Sequence, residues 1–153
     1  MSKVKTIILD SSVIIKWFLP EEDSNIALAF NRQFISGDLK IAVPMLLFYE
    51  MANIFKSAVT ASRIKSSDAI QSYENLLNLN FITYSMDNLF KGGLEIALRF
   101  DITAYDASYL ALAEELKIPF ITADQKLINK VESKQSSPDK SGKLIFNLND
   151  YEL

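Results

Sequence analysis

Short apolar runs alternate along this chain with longer stretches in which apolar residues recur every three or four positions. The short runs are rich in β-branched side chains and predict buried strands at Val4–Leu9, Lys40–Val43, Phe81–Tyr84, Pro119–Thr122 and Leu144–Phe146. The periodic stretches predict helices at Val13–Leu19, Ile26–Phe34, Pro44–Ser62, Ser66–Leu79, Asp87–Phe100, Thr103–Leu116 and Gln125–Val131.

Strands that alternate with helices predict a parallel sheet with helices on both faces, which is an α/β fold. Pro20 and Gly37 are expected to end the first two helices, and Pro44 is predicted at the first position of the third. The polar stretch Glu132–Gly142 is predicted to be a loop. We find no internal repeat or interdomain linker, so residues 1–153 are expected to form a single domain.

Acidic residues interrupt this pattern at four places. Asp10 directly follows the first predicted strand, and Asp124 follows the fourth after Ala123, at the edge where ligands bind to parallel sheets. Glu50 interrupts an otherwise apolar helix face, and Asp106 opens the inward stripe that continues with Tyr109. The spacing predicts that these four carboxylates meet at one metal site.

Each acid also has a structural explanation. Asp10 and Asp124 could cap the helices that follow them, and Asp106 could form a capping box with Thr103. Glu50 could simply lie at the edge of its stripe. Several unpaired carboxylates buried together are costly, however, and a divalent cation is the usual remedy. Oxygen-only ligands suit Mg²⁺ or Mn²⁺ rather than zinc.

The composition narrows the chemistry further. The chain has no cysteine and no histidine, which excludes disulfides, thiolate metal sites, Ser-His-Asp triads and imidazole acid–base pairs. The net charge of −3 does not support nucleic-acid binding through bulk charge, so such binding would need a local basic patch. No apolar stretch reaches the ~20 residues of a membrane span, and the N-terminus does not resemble a signal peptide. We therefore expect a cytoplasmic protein.

Several segments together resemble the PIN-domain family, and more narrowly the toxin ribonucleases of VapBC toxin–antitoxin pairs. They occur in the family's order over nearly the whole chain: Asp10-Ser11-Ser12, Glu50 within its helix, Thr103-x-Tyr105-Asp106-Ala107-x-Tyr109-Leu110-Ala111-Leu112-Ala113, and Thr122-Ala123-Asp124-x-x-Leu127. The segment from Tyr105 to Ala113 is quite specific for this family, whereas Asp-Ser-Ser after a strand is a weak signal on its own.

The resemblance implies a three-layer α/β/α sandwich around a central, mainly parallel sheet of four to five strands. It implies an endoribonuclease that depends on Mg²⁺ or Mn²⁺, acts as a toxin, pairs with a small VapB-like antitoxin and forms a homodimer. Its metal and catalytic residues would be Asp10, Glu50, Asp106 and Asp124, with Ser12 as a helper near the first acid. Thr122 could position Asp124 through its hydroxyl, with ordinary strand-end packing as the alternative.

Two further groups of residues bear on this expectation. The cations that could meet RNA phosphates are Lys16, Lys56, Arg63 and Lys65, with a solvated helix surface as the alternative. The aromatic residues of the first two helices are expected mostly in the core, with a part-exposed subset available to an antitoxin segment or dimer partner: Trp17, Phe18, Phe30 and Phe34. For Tyr105 and Tyr109, packing is favoured over stacking on RNA bases.

Three other functions are alternatives to a toxin ribonuclease. A PIN-domain nuclease of RNA processing would carry the same residues but no antitoxin partner. A non-catalytic module with an acidic magnesium pocket, such as a phospho-receiver, would need a lysine at a late strand end, where this chain has Asp124. A binding scaffold without turnover is a third possibility, which an activity assay would distinguish.

Overall fold

A parallel five-stranded sheet forms the centre of the computed structural model, which describes residues 3–135 and 143–153. The strands are β1 (Lys5–Leu9), β2 (Leu39–Pro44), β3 (Ile82–Tyr84), β4 (Phe120–Thr122) and β5 (Ile145–Asn147), in the order β3-β2-β1-β4-β5. Every strand pair is parallel, which confirms the predicted α/β class. The strand order reverses at β1, because β1 pairs with β2 on one side and with β4 on the other.

The two central strands are buried on both faces, as expected for strands covered by helices on each side. In β1, Ile7, Ile8 and Leu9 are fully buried, and the matching segment of β2, residues 41–43, is equally inaccessible. The edge strand β3 is short and largely exposed. The helices that cover the sheet are α1 (Ser11–Ile14), α2 (Ser24–Ser36), α3 (Leu46–Thr60), α4 (Ser66–Leu77), α5 (Phe90–Phe100), α6 (Ala104–Leu116) and α7 (Gln125–Ser133).

Three predicted helix starts or lengths were wrong. Pro44 ends β2 opposite Tyr84 of β3, and α3 begins only at Leu46, so this proline is a strand residue and not the first residue of a helix. The first helix is a single α turn followed by a 3₁₀ turn over Ile15–Trp17. A 3₁₀ turn over Met86–Asn88 likewise precedes α5.

In the predicted polar loop, residues 132 and 133 belong to α7, and residues 136–142 lie outside the described part of the chain.

At the carboxyl edge of the sheet, α6 and α7 begin at residues whose side chains cap them. The Thr103 hydroxyl accepts a hydrogen bond from the backbone N–H of Asp106, and the Asp124 carboxylate accepts one from the backbone N–H of Leu127. Both are N-cap contacts, so α6 and α7 begin where their capping residues predict. Within the described residues, no helix has the length and apolar character that a membrane span requires.

Candidate metal centre

Asp10 lies at the carboxyl end of β1, at the point where the strand order reverses. Its side chain is almost fully buried, at 5% exposure, and is surrounded by hydroxyl groups. Thr122 Oγ1 donates to Asp10 Oδ2 at 2.7 Å, Ser12 Oγ donates to the same oxygen at 3.0 Å, and Ser11 Oγ donates to Oδ1 at 3.3 Å. Burial raises the pKa of Asp10, and the hydrogen bonds from Thr122, Ser12 and Ser11 partly oppose that rise.

The hydroxyls of Ser12 and Thr122 connect the end of β1 to the end of β4. Ser12 Oγ accepts a hydrogen bond from the backbone N–H of Ala123 at 3.0 Å, and Thr122 Oγ1 accepts one from the backbone N–H of Asp124 at 3.0 Å. Ser12 therefore lies beside Asp10, where the resemblance places a helper residue. The Thr122 hydroxyl reaches Asp10 directly, whereas it meets Asp124 through the backbone and not through the carboxylate.

Asp124 has the capping role that was its alternative explanation. Its Oδ1 accepts the N–H of Leu127 at 3.1 Å and so caps α7. Its Oδ2 makes no protein hydrogen bond within the described residues. One carboxylate can therefore cap a helix through one oxygen and present the other to a cation.

Asp106 stands in the first turn of α6 and is half-buried. Only one half of the capping box forms, because Thr103 accepts from the Asp106 N–H while the Asp106 carboxylate makes no hydrogen bond to protein in the described part of the chain. The pKa of Asp106 is raised, first by burial and then by the negative charges of Asp10 and Asp124, against a lowering by Thr103. Burial and neighbouring acids therefore outweigh Thr103 at this carboxylate.

Glu50 lies on α3 and is also half-buried. The hydroxyl of Tyr109 donates to Glu50 Oε1 at 2.6 Å. The pKa of Glu50 is raised to about 7: burial is the largest cause, the Tyr109 hydrogen bond opposes it, and the negative charges of Asp10 and Asp106 add to the rise. A carboxyl group with such a pKa is partly protonated near neutral pH in the absence of a cation.

Tyr109 contacts Glu50 although its sequence pattern predicts only packing. Its ring does pack, stacked on Phe120 with centroids 5.4 Å apart. Burial, with the nearby charges of Asp10 and Glu50, raises the pKa of Tyr109 well above its usual value, so the hydroxyl stays protonated. The available signal was its position three residues after Asp106, on the same inward stripe.

The donor chemistry of these four acids fits a divalent cation. All ligands would be carboxylate oxygens, and the charges of neighbouring acids raise the pKa values of Glu50 and Asp106, so the groups lie within electrostatic reach of one another. Across the described ranges, however, no three acidic side chains are yet arranged to hold one ion. Protein groups hold the acids instead: hydroxyls at Asp10, Tyr109 at Glu50 and the N-terminus of α7 at Asp124.

The predicted substrate-binding cations do not converge on the acids. Lys16 donates to the backbone carbonyl of Glu22 at 2.6 Å and lies 3.5 Å from the Glu21 carboxylate, which Arg63 also contacts at 3.3 Å. Lys56 is exposed on α3, six residues or about 9 Å along the helix from Glu50. Lys65 is exposed just before α4.

The aromatic residues of the first two helices are mainly core residues, as expected. Trp17 packs beside Phe34 and Phe81, with ring centroids 6.0 and 6.3 Å away, and its indole N–H donates to the backbone carbonyl of Ala27. Phe30 is 1% exposed. Tyr105, in contrast to Tyr109, is 64% exposed, so the packing favoured for Tyr105 is wrong.

The sequence profile of the PIN domain matches residues 7–133, which include all four acids. The chain belongs to the PIN-domain family. Among characterised relatives, it is 33% identical to the VapC ribonuclease Mb0985 of Mycobacterium bovis over 96 residues, which are 63% of this chain and 73% of the relative. It is 27% identical to ribonuclease VapC3 of Pyrobaculum aerophilum over 126 residues, which are 81% of this chain and 93% of the relative.

Solved structures share the PIN-domain fold with this chain. The structure of PAE2754 from Pyrobaculum aerophilum superposes with a TM-score of 0.67 at 20% identity and covers 95% of this chain and 85% of its own. The structure of VapBC2 from Rickettsia felis, bound to a DNA fragment from the promoter, gives a TM-score of 0.62 at 12% identity, with coverage of 93% and 98%. These identities are low, so the superpositions establish the architecture, which is the expected α/β/α arrangement.

Proposed function

We propose that this protein is a divalent-metal-dependent endoribonuclease that hydrolyses RNA phosphodiester bonds as the toxin of a VapBC-type pair. The observation that carries the proposal is the set of four carboxylates from four segments, Asp10, Glu50, Asp106 and Asp124, at one edge of the sheet in a chain without histidine. Its relatives named VapC ribonucleases and its PIN-domain membership support the reaction class.

The four acids supply the negative charge that a divalent cation needs, and their oxygen-only donor set favours Mg²⁺ or Mn²⁺. When bound, such a cation supplies the acid–base chemistry, because it lowers the pKa of water and stabilises a leaving oxygen. Ser12 and Thr122 hold Asp10 at the end of β1 by hydrogen bonds to Oδ2. Since no imidazole is available to activate a 2′-hydroxyl, we expect in-line hydrolysis that leaves 5′-phosphate and 3′-hydroxyl ends.

RNA and a small VapB-like antitoxin are the proposed partners, a homodimer is the proposed assembly, and the cytoplasm is the proposed location. The antitoxin is supported by structural neighbours described as VapBC or toxin–antitoxin complexes. Among the proposed phosphate contacts, Lys56 has the strongest case, because it shares α3 with Glu50 and makes no ion pair within the described residues. Lys16 and Arg63 would first have to exchange Glu21 for phosphate.

The proposal is tested by cleavage of a mixed pool of structured RNAs with Mg²⁺, Mn²⁺ or EDTA, comparing the parent protein with Asp106→Asn. The parent should cut only with the added cation and leave 5′-phosphate ends. Asp106→Asn should reduce the rate of metal-dependent cleavage more than about 100-fold, because it removes one charge from the proposed metal site. Asp68→Asn is the matched control, since Asp68 is an exposed acid in the first turn of α4.

The melting temperature without metal separates a functional loss from a folding defect. Asp106→Asn should melt at the same or a higher temperature than the parent, since the substitution relieves repulsion from Asp10 and Asp124. A marked fall in melting temperature would assign Asp106 a structural role. Cleavage that survives EDTA would contradict the metal-dependent mechanism, and no cleavage by the parent with either cation would favour a scaffold without turnover.

A further inference from the structure

A single side-chain hydrogen bond joins α3 to α6 in the described part of the chain, and it ends on one of the four acids. The donor is the Tyr109 hydroxyl, and the acceptor is Glu50 Oε1 at 2.6 Å. The two residues are 59 positions apart in the sequence. The contact therefore depends on the tertiary fold and not on the geometry of either helix.

Tyr109 is the rigid side of this pair. Its side chain is fully buried, and its ring lies nearly parallel to that of Phe120, at an angle of 13°. Phe120 belongs to β4 and is paired in register with Ile8 of β1, so the tyrosine packs directly on the centre of the sheet. An aromatic ring held in this way has one orientation, and its hydroxyl has a fixed position.

Glu50 is the flexible side of the pair. A glutamate has three side-chain torsion angles, and the last of them is broad, so a half-buried glutamate on a helix is not fixed by its backbone. Glu50 Oε1 is held by Tyr109, and Glu50 Oε2 makes no hydrogen bond to protein within the described residues. The carboxylate is thus fixed through one oxygen while the other remains able to bind a cation.

We propose that Tyr109 is a positioning residue whose hydroxyl holds Glu50 in the orientation that binds the divalent cation. This inference rests on the proposed function, because it assigns Glu50 to the metal site. Partners of this kind orient metal ligands in many proteins, and their removal typically weakens metal affinity by about 10- to 100-fold. A purely structural explanation also exists, since a buried hydroxyl needs an acceptor wherever it lies.

The experiment is a calorimetric titration of the metal-free protein with Mn²⁺, which measures binding without reference to cleavage. Tyr109→Phe keeps the ring and its stacking and removes only the hydroxyl. We expect Mn²⁺ to bind about 10-fold or more weakly to this variant. Tyr105→Phe is the matched control, because it makes the same change four residues earlier on a side chain that is 64% exposed, and its affinity should equal that of the parent.

A double-mutant cycle with Glu50→Gln tests whether the hydroxyl acts through Glu50. Glu50→Gln alone should weaken Mn²⁺ binding, and adding Tyr109→Phe to it should cause no further loss. Parent-like Mn²⁺ affinity in Tyr109→Phe, or losses that add in the double variant, would overturn the positioning role. Parent-like affinity in Glu50→Gln would also overturn it, because Glu50 would not be a ligand. Failure of the parent itself to bind Mn²⁺ would instead refute the metal site on which the proposed function depends.

Discussion

The four acids are held in different ways, and this difference determines how each should respond to substitution. Asp10 is buried among three hydroxyl donors, while Asp106 has no hydrogen bond to its carboxylate in the described residues. Glu50 has one donor, and Asp124 uses one oxygen as a helix cap. The pKa values of Asp10, Glu50 and Asp106 are all raised, and at a pKa of about 7 Glu50 is partly protonated near neutral pH, so a cation that binds Glu50 must compete with a proton.

Because of these raised pKa values, we predict that the metal-free protein becomes more stable as the pH falls from above 7 towards 4.5. Glu50 has a pKa of about 7 in the folded protein and 4.5 as its reference value, so between these values the folded state binds more protons than the unfolded state. The stabilisation is complete below the lower value and is lost as the pH rises through the higher one. For Glu50 alone it is up to about 3 kcal/mol.

Chemical denaturation at several pH values without metal measures this effect. Glu50→Gln should flatten the dependence, although Asp10 and Asp106 shift in the same direction and should leave part of it. Stability that falls on acidification through this window would contradict the raised pKa of Glu50.

At the scale of single residues, the sequence indicates the candidate acids but not the groups that hold them. Asp10 and Asp124 follow apolar strands, and Glu50 breaks an apolar stripe, so periodicity alone identifies them. Their partners are distant in the chain: Thr122 and Asp10 are 112 positions apart. Such contacts arise from the order of the strands, which periodicity does not specify. The ion pairs of Lys16 and Arg63 with Glu21 could not be predicted from the sequence either, because they depend on the path of the loop after α1.

At the scale of elements, most strands and helices lie within a few residues of their predicted positions. The differences have local causes. Pro44 was assigned to a helix because proline favours the first helical turn, but proline also suits a strand end, and pairing with β3 decided the outcome here. The 3₁₀ turn over Met86–Asn88, which precedes α5, is capped by Ser85, whose hydroxyl accepts a hydrogen bond from the N–H of Asp87.

The start of α7 gives a prediction at this scale, since Asp124 combines a cap with a proposed metal ligand. Asparagine caps helices about as well as aspartate, whereas alanine does not. Asp124→Asn should therefore keep the parent's stability within about 0.5 kcal/mol, while Asp124→Ala should lose about 1 kcal/mol. Both variants should lose metal-dependent RNA cleavage.

Urea denaturation and the RNA assay, run on the same preparations, distinguish the two roles of Asp124. Thr103→Ala provides a comparison, because it removes the cap of α6 without removing a proposed ligand. It should lose stability and keep most of its cleavage. Cleavage at the parent's rate by Asp124→Asn would leave this residue only its capping role.

At the scale of the whole molecule, the reversal of strand order at β1 brings the site together. β1 and β4 are neighbours although they are separated by most of the chain, and the backbone N–H of Asp10 donates to the carbonyl of Ile121 across them. The ends of these strands place Asp10 near Asp124, while α3 and α6 bring Glu50 and Asp106. The fold therefore brings together the segments that carry the four candidate acids, although each segment looks ordinary in the sequence.

The surface of α5 provides the prediction for the proposed homodimer. Phe90, Leu94 and Leu98 recur every fourth position and are 63%, 56% and 75% exposed, whereas Ile96 and Phe100 on the opposite side of the helix are buried. A row of large apolar side chains left in water is typical of a protein interface. We expect a second copy of the chain to cover this row, so Leu94→Glu should convert the dimer to a monomer in light scattering coupled to gel filtration.

Ile35→Glu is the matched control, because Ile35 on α2 is 64% exposed and the change introduces the same charge. A Leu94→Glu variant that remains dimeric would show that α5 lies outside the interface, and a parent that stays monomeric at high concentration would contradict the homodimer itself.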